Sequence, residues 1–120
     1  MNEPSLPPYA GQVVDVLKAA RRGRFRQALI LDVREDEEWA AGHIPAAIHV
    51  PLSQLPSRLG ELDLGRAYMT VCRSGRRSAT AAAQLEAAGV EVANIAGGMK
   101  AWETAGLPVV TDAGVPGTVT

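Results

Sequence analysis

The junction between residues 68 and 88 constrains this chain more than any other stretch. The apolar run Tyr68-Met69-Thr70-Val71 ends in the one cysteine, Cys72, which opens the segment Arg73-Ser74-Gly75-Arg76-Arg77-Ser78 and leads into an alanine-rich stretch, 79–88. A strand that ends in a thiol, turns through a loop holding glycine and enters a helix aims backbone N–H groups and the positive end of a helix at the sulfur. Ala28 to Val33 is a second short, nearly continuous apolar run, as expected of a strand buried on both faces of a parallel sheet. Such strands alternating with helical stretches predict a three-layer α/β/α domain with a mainly parallel sheet. Ligands of these sheets bind beyond the carboxyl ends of the strands, and Cys72 stands at one of those ends.

The rest of the chain reads in the same alternation. Residues 1–8 are proline-rich and are expected to lie over the surface. From Ala10 to Ala20, apolar Val13, Val14, Val16, Leu17 and Ala20 recur at three- and four-residue steps and predict an amphipathic helix, followed by a basic turn, Arg21-Arg22-Gly23-Arg24-Phe25-Arg26. Glu35 to Ala41 predicts a short helix stopped by Gly42, with Pro45 ahead of a strand at Ile48-His49-Val50. Ser53 is the expected cap of another short helix reaching Leu59 or Leu62, with Pro56 at its start. The best helix begins at Gly75 or Ser78 and runs through Ala88 to Gly89. Val90 to Ala93 is expected as a strand and Gly98 to Ala105 as the last helix. Val109 onward is expected as a loosely ordered tail. At 120 residues and 47% hydrophobic composition, the chain is expected to be one domain with a core at about 10–110, burying about two-thirds of its unfolded surface.

Composition excludes several functions. One cysteine cannot form an internal disulfide, a pattern of reducing compartments. No apolar run approaches the roughly 18 residues of a membrane span, and Met1 to Pro8 lacks the regions of a signal peptide, so the expected location is the cytoplasm. A net charge of −1 gives no reason to expect nucleic acid or membrane as partner. Two histidines and one cysteine without ligand spacing predict no metal site. His43 is read as a hydrogen-bonded turn residue rather than a base, and Trp39, Met99 and Trp102 as packing between helices and sheet. Arg21, Arg22, Arg24 and Arg26 are read as a solvated loop, with docking of an acidic partner as the alternative. Cys72 is expected to be a thiolate near neutral pH, favoured by the helix end and by Arg73, Arg76 and Arg77. Thiolate is the nucleophilic form.

Cys72 to Ser78 resembles the active-site loop of single-domain rhodaneses, the thiosulfate sulfurtransferase family. Leu29 to Arg34, Glu38-Trp39 and Gly42-His43-Ile44-Pro45 leading to Ala47 to Leu52 resemble its N-terminal signature. Gly97 to Trp102 followed by Gly106-Leu107-Pro108-Val109 resembles its C-terminal one. The likeness covers about residues 12–110. One departure stands at Ala46, where the family usually has glycine; if that turn needs a positive φ, alanine strains it. The loop from Cys72 to Arg77 is one residue shorter than the C-x5-R loop of protein tyrosine phosphatases, and suits one extra sulfur atom better than a phosphoryl group.

The resemblance implies a five-stranded, rhodanese-like sheet and a sulfur transfer in which Cys72 attacks the outer sulfur of thiosulfate or a persulfide and becomes a persulfide itself. It implies Arg73, Ser74, Gly75, Arg76, Arg77 and Ser78 as the donor-binding loop. Within it Arg77 is expected to grip the anionic donor, Arg76 to point outward, and Ser78 to act mainly as a helix cap. Asp32 and Arg34 are expected to form a buried supporting clamp rather than a catalytic pair. No cofactor is needed, and without a second cysteine the acceptor must be external: cyanide, glutathione, a thioredoxin-like dithiol or a protein thiolate. The rival readings are a cysteine phosphatase or arsenate reductase of related fold, and a non-catalytic binding module.

Overall fold

The computed structural model describes residues 9–120; the proline-rich start, 1–8, lies outside the described residues. Five strands form one sheet: β1 (Gln12–Val14), β2 (Leu29–Asp32), β3 (Ile48–His49), β4 (Tyr68–Val71) and β5 (Val92–Ile95). Their order is β1-β5-β4-β2-β3 and every pair is parallel. The strand that delivers Cys72 is therefore central. Its residues alternate between two cores, as a period of two requires. Tyr68 and Cys72 join Leu31, Val33, Ala81, Ala82 and Leu85 on one face, whereas Met69 and Val71 join Ile30, Ala93, Ile95, Met99 and Trp102 on the other. The first face is covered by α4 (Arg76–Ala87) and the second by α1 (Val16–Arg24) and α5 (Gly98–Thr104).

Several expectations are corrected. The stretch expected as one helix from Ala10 to Ala20 splits: residues 12–14 form edge strand β1 in register with Ala93 to Ile95. Asp15 then caps α1, its carboxylate accepting from the Lys18 N–H at 2.8 Å. The helix starts only at Val16 because that cap fixes its first turn. It also runs through most of the expected basic turn, so Arg21, Arg22 and Arg24 lie in its last turn, where the negative end of the helix dipole favours cations. β5 sits two residues later than expected. Residues 52–61 form a single α turn, α3 (Leu55–Arg58), between two 3-10 turns, and Ser53 lies inside the first of these rather than capping a helix.

The tail is fixed rather than loose. His43 and Val110 exchange two backbone hydrogen bonds at 2.8 and 2.9 Å, and the Thr118 N–H donates to the Ala41 carbonyl at 2.9 Å. This crossing needs glycine: a Cβ on Gly42 would lie 2.7 Å from the Thr118 nitrogen, and one on Gly117 2.7 Å from the Gly42 Cα. The pairing is long-range backbone contact, to which local composition is blind.

Ala46 has φ 66°, in a turn closed by the Ala47 N–H donating to the Ile44 carbonyl at 3.1 Å. The left-handed conformation costs an alanine roughly 1–2 kcal/mol, partly offset by the greater unfolded-state freedom of glycine, about 0.4–1 kcal/mol. Ala46→Gly is therefore expected to stabilise the protein by roughly 0.5–1 kcal/mol. Urea unfolding of the two proteins checks this; a loss of stability would mean that the turn carries no strain.

Candidate active site

Cys72 follows β4 directly and faces α4. The residue is 1% exposed, yet its sulfur is not in an apolar pocket without donors. The Gly75 N–H points at Sγ from 3.0 Å and the Ser78 hydroxyl from 3.3 Å. Burial is the largest single influence on this thiol and pushes its pKa up. The Ser78 hydroxyl, followed by the amides of Ser78, Gly75 and Ser74, pulls it down further, so the net shift is downward. The neutral dipoles of the loop and helix start, expected from the sequence, are thus the main influences that acidify the thiol, and of the flanking arginines Arg77 is within electrostatic reach of it. Arg73 and Arg76 are exposed, and the Arg73 Nε donates to the Thr120 carbonyl at 2.9 Å.

Ser78, expected mainly as a cap, is instead the third residue of α4, fully buried, with its hydroxyl on the sulfur. Gly75 takes the N-cap position with φ 107° and no capping side chain. That conformation suits glycine, and it turns the chain tightly enough for the amides on both sides of Gly75 to face Cys72.

The loop's amides point inward because its carbonyls are held outward. The Met99 N–H at the start of α5 donates to the Cys72 carbonyl at 2.8 Å, and the Lys100 N–H to the Arg73 carbonyl at 3.1 Å. In a planar trans peptide the N–H points opposite to the C=O, so these bonds aim the Arg73 and Ser74 amides away from α5, toward the sulfur side. Gly98 is required for this contact, since a Cβ there would collide with the Cys72 carbonyl and lie 2.7 Å from that of Arg73. On the other flank Asn94 Nδ2 donates to the Gly75 carbonyl at 3.0 Å, and the Thr70 hydroxyl to the Ser78 carbonyl at 2.9 Å. Thr70, Asn94 and the role of Gly98 were missed in the sequence. Their signal was a polar residue inside each of two buried strands, and a glycine pair opening a helix.

A chain of charged contacts holds the outer side of the loop. The Asp32 carboxylate and the Arg34 guanidinium are fully buried against each other, with Nη2 to Oδ2 at 2.7 Å. Arg34 also donates to the carbonyls of Glu38 and Gly42 at 3.3 and 2.8 Å, tying the end of β2 to α2 (Asp36–Ala41). Among the described residues Asp32 makes no hydrogen bond to Cys72. From α2, Glu38 receives both terminal nitrogens of Arg77 at 2.7 and 2.9 Å, so the guanidinium expected to grip a donor is already paired. The Arg77 hydrogen bond holds the Glu38 carboxyl down at about 2 against the opposing pull of burial.

His43 also lacks a hydrogen bond to Cys72 among the described residues; its Nδ1 lies 2.8 Å from the Trp39 carbonyl. Trp39 packs α2 against the sheet as expected: its ring stacks on His43 and on His49 of β3, with centroids 3.5 and 4.7 Å away. Arg21, Arg24, Arg26 and Arg66 rim an apolar groove floored by Ile30, Trp102 and neighbours. This groove opens beside the starts of β2 and β4, away from the strand end that carries Cys72, and its lining holds no nucleophile.

Comparison with known proteins agrees with this geometry. The family model described as "Rhodanese-like domain" matches residues 13–105. The Bacillus subtilis protein named "Putative sulfurtransferase YtwF" is 43% identical over 74 residues, which are 62% of this chain and 72% of that protein. An Allochromatium vinosum protein named "Sulfurtransferase" is 40% identical over 87 residues, 72% of this chain and 81% of that one. The crystal structure of a rhodanese-related protein from Thermoplasma volcanium superposes with a TM-score of 0.80 at 28% identity, covering 85% of this chain and 100% of the other. Other relatives are longer, and the chain spans 56%, 42% and 40% of three of them.

Because the Ser78 hydroxyl is the leading influence that lowers the Cys72 pKa, Ser78→Ala is expected to raise it. The thiolate fraction at neutral pH falls accordingly, and alkylation by iodoacetamide slows by about tenfold, the low end of the value of a hydrogen bond to a charged group. The pH profile of alkylation checks this, and an unchanged midpoint would remove Ser78 from the role.

Proposed function

This chain belongs to the rhodanese-like domain family, and we propose that it is a sulfurtransferase working through a persulfide on Cys72. The observation that carries the proposal is the convergence of the Ser78 hydroxyl and the Gly75 amide on a single sulfur. Donors preset around an anion stabilise it without reorganising during reaction. The word sulfurtransferase in the names of the Bacillus and Allochromatium relatives supports the same reading.

In the first step the Cys72 thiolate attacks the sulfane sulfur of a donor. A new S–S bond forms, the donor's S–S bond breaks, and the bonding pair leaves with sulfite when the donor is thiosulfate or with a thiolate when it is an alkyl persulfide. Cys72 then carries one extra sulfur. In the second step an external nucleophile, cyanide or a thiol, attacks that outer sulfur and releases the Cys72 thiolate. The chain has one cysteine, so it cannot discharge the persulfide through an internal disulfide. Two displacements through a covalent intermediate predict ping-pong kinetics. Proton transfer to a side-chain base is unnecessary once the thiolate exists, which accords with Asp32 and His43 lying outside hydrogen-bond reach of the sulfur.

Intact mass after incubation with a sulfane-sulfur donor tests the reading. Wild type is expected to gain about 32 Da, one sulfur, removable by cyanide or dithiothreitol, whereas Cys72→Ser gains nothing. An adduct that persists in Cys72→Ser, or none on wild type with either thiosulfate or glutathione persulfide, refutes it.

A further inference from the structure

The geometry points to Glu38 as the residue that sets the donor class: by occupying the Arg77 guanidinium it makes the site accept alkyl persulfides, R–S–SH, in preference to thiosulfate. This inference rests on the sulfurtransferase reading and narrows it.

Thiosulfate is a dianion whose sulfonate oxygens need cations or a dense set of N–H donors when the outer sulfur reaches Sγ. Arg77 is the cation placed to supply them, at the closing position of the loop and within electrostatic reach of Cys72. Each of its terminal nitrogens donates to one Glu38 oxygen, so the guanidinium faces a carboxylate. The carboxylate is itself locked in place, since Oε1 also accepts the Glu35 N–H at 3.0 Å. With a pKa of about 2, Glu38 stays charged throughout the neutral range, so the pair brings no net charge to the rim. A dianion must break a bidentate pair, the strong form of such contacts, or approach beside a carboxylate that repels it. Arg73, with its Nε on the Thr120 carbonyl, and Arg76 on α4 are both exposed, so either would meet a donor from water, where screening weakens a cation's hold.

An alkyl persulfide makes no such demand. The Cys72 thiolate attacks the terminal sulfur of R–S–SH, the R–S bond to that sulfur breaks, and R–S⁻ leaves with the bonding pair. Cys72 retains the sulfur and its proton as Cys72–S–SH. One negative charge enters the step and one leaves it, and no sulfonate has to be held. The neutral N–H and O–H donors already on Sγ are sufficient.

The test compares kcat/KM for glutathione persulfide and for thiosulfate in wild type and in Glu38→Gln. Glutamine keeps an acceptor for the Glu35 N–H, so the start of α2 is preserved, and it removes the charge that binds Arg77. Wild type is expected to favour glutathione persulfide. Glu38→Gln is expected to raise thiosulfate use about tenfold, the scale of a released charge-assisted hydrogen bond, with glutathione persulfide changed less than about twofold. A purely structural role for Glu38 would move both donors together and leave their ratio fixed, which overturns the inference. Wild type that uses thiosulfate as well as the persulfide overturns it too, whether or not the variant folds. If neither donor sulfurates wild-type Cys72, the sulfurtransferase reading itself fails; transfer from both donors with an unmoved ratio sinks only the role given to Glu38.

Discussion

Two backbone hydrogen bonds from the first turn of α5, to the carbonyls of Cys72 and Arg73, are the constraint on which the site depends. A six-residue loop at the end of a strand has no intrinsic reason to turn its amides toward one atom. Left alone, it would scatter them toward water. Engaging the carbonyls from outside leaves the N–H groups facing inward, at the cost of bringing two backbones so close that only glycine fits at position 98. Thr70 and Asn94 repeat the device from the sheet side by taking up the Ser78 and Gly75 carbonyls. Both are buried polar residues in a strand, and such groups are tolerated only when hydrogen-bonded. Removing either partner leaves a buried acceptor unmatched.

The outer wall is held by charge rather than by backbone. Asp32 and Arg34 are wholly buried, an arrangement that contributes little net stability yet is costly to break, about 3–5 kcal/mol for loss of one partner. What it provides here is position: Arg34 reaches from β2 to the carbonyls of α2, and α2 presents Glu38 to Arg77. The tail adds a second brace, since it pairs with His43 and Ala41 beside the same helix and ends with a carbonyl on Arg73. Helix α2 is only six residues long, too short to hold itself together in water. Its place depends on these contacts.

Local signals made the central part of this structure legible in the sequence. The apolar runs at 28–33 and 68–72, the thiol at a strand end and the glycine before an alanine-rich helix were enough to place β2, β4, α4 and Cys72, because each follows from nearest-neighbour patterning. What failed was non-local. Val13 and Val14 fit a helical period as well as a strand, and only their pairing with β5 decides between the two. Ser78 has the composition of a cap, but a glycine with positive φ already starts the helix and leaves the hydroxyl for the sulfur. Arg77 was read as a free cation because its partner, Glu38, is 39 positions away. Ala46 is a different case: only the resemblance to a family that usually has glycine there raised the question of a positive φ, and the observed 66° answers it.

Burial and acidity usually oppose each other in a thiol, and at Cys72 both are present. Burial shields the sulfur from water and raises the energy of the bare anion, which makes it a stronger nucleophile than a hydrated thiolate. The fixed dipoles more than offset burial, so the thiol is more acidic than an ordinary cysteine. Once the proposed persulfide has lost its proton to water, the charged atom is the outer sulfur, one bond further from Gly75 and Ser78 and nearer the rim. The donors that hold the resting thiolate therefore hold the loaded form less firmly, which favours passing the sulfur on. A cradle built for the resting anion in this way is suited to relay rather than storage, and the absence of a second cysteine in the sequence leaves the next step to whichever nucleophile reaches the rim.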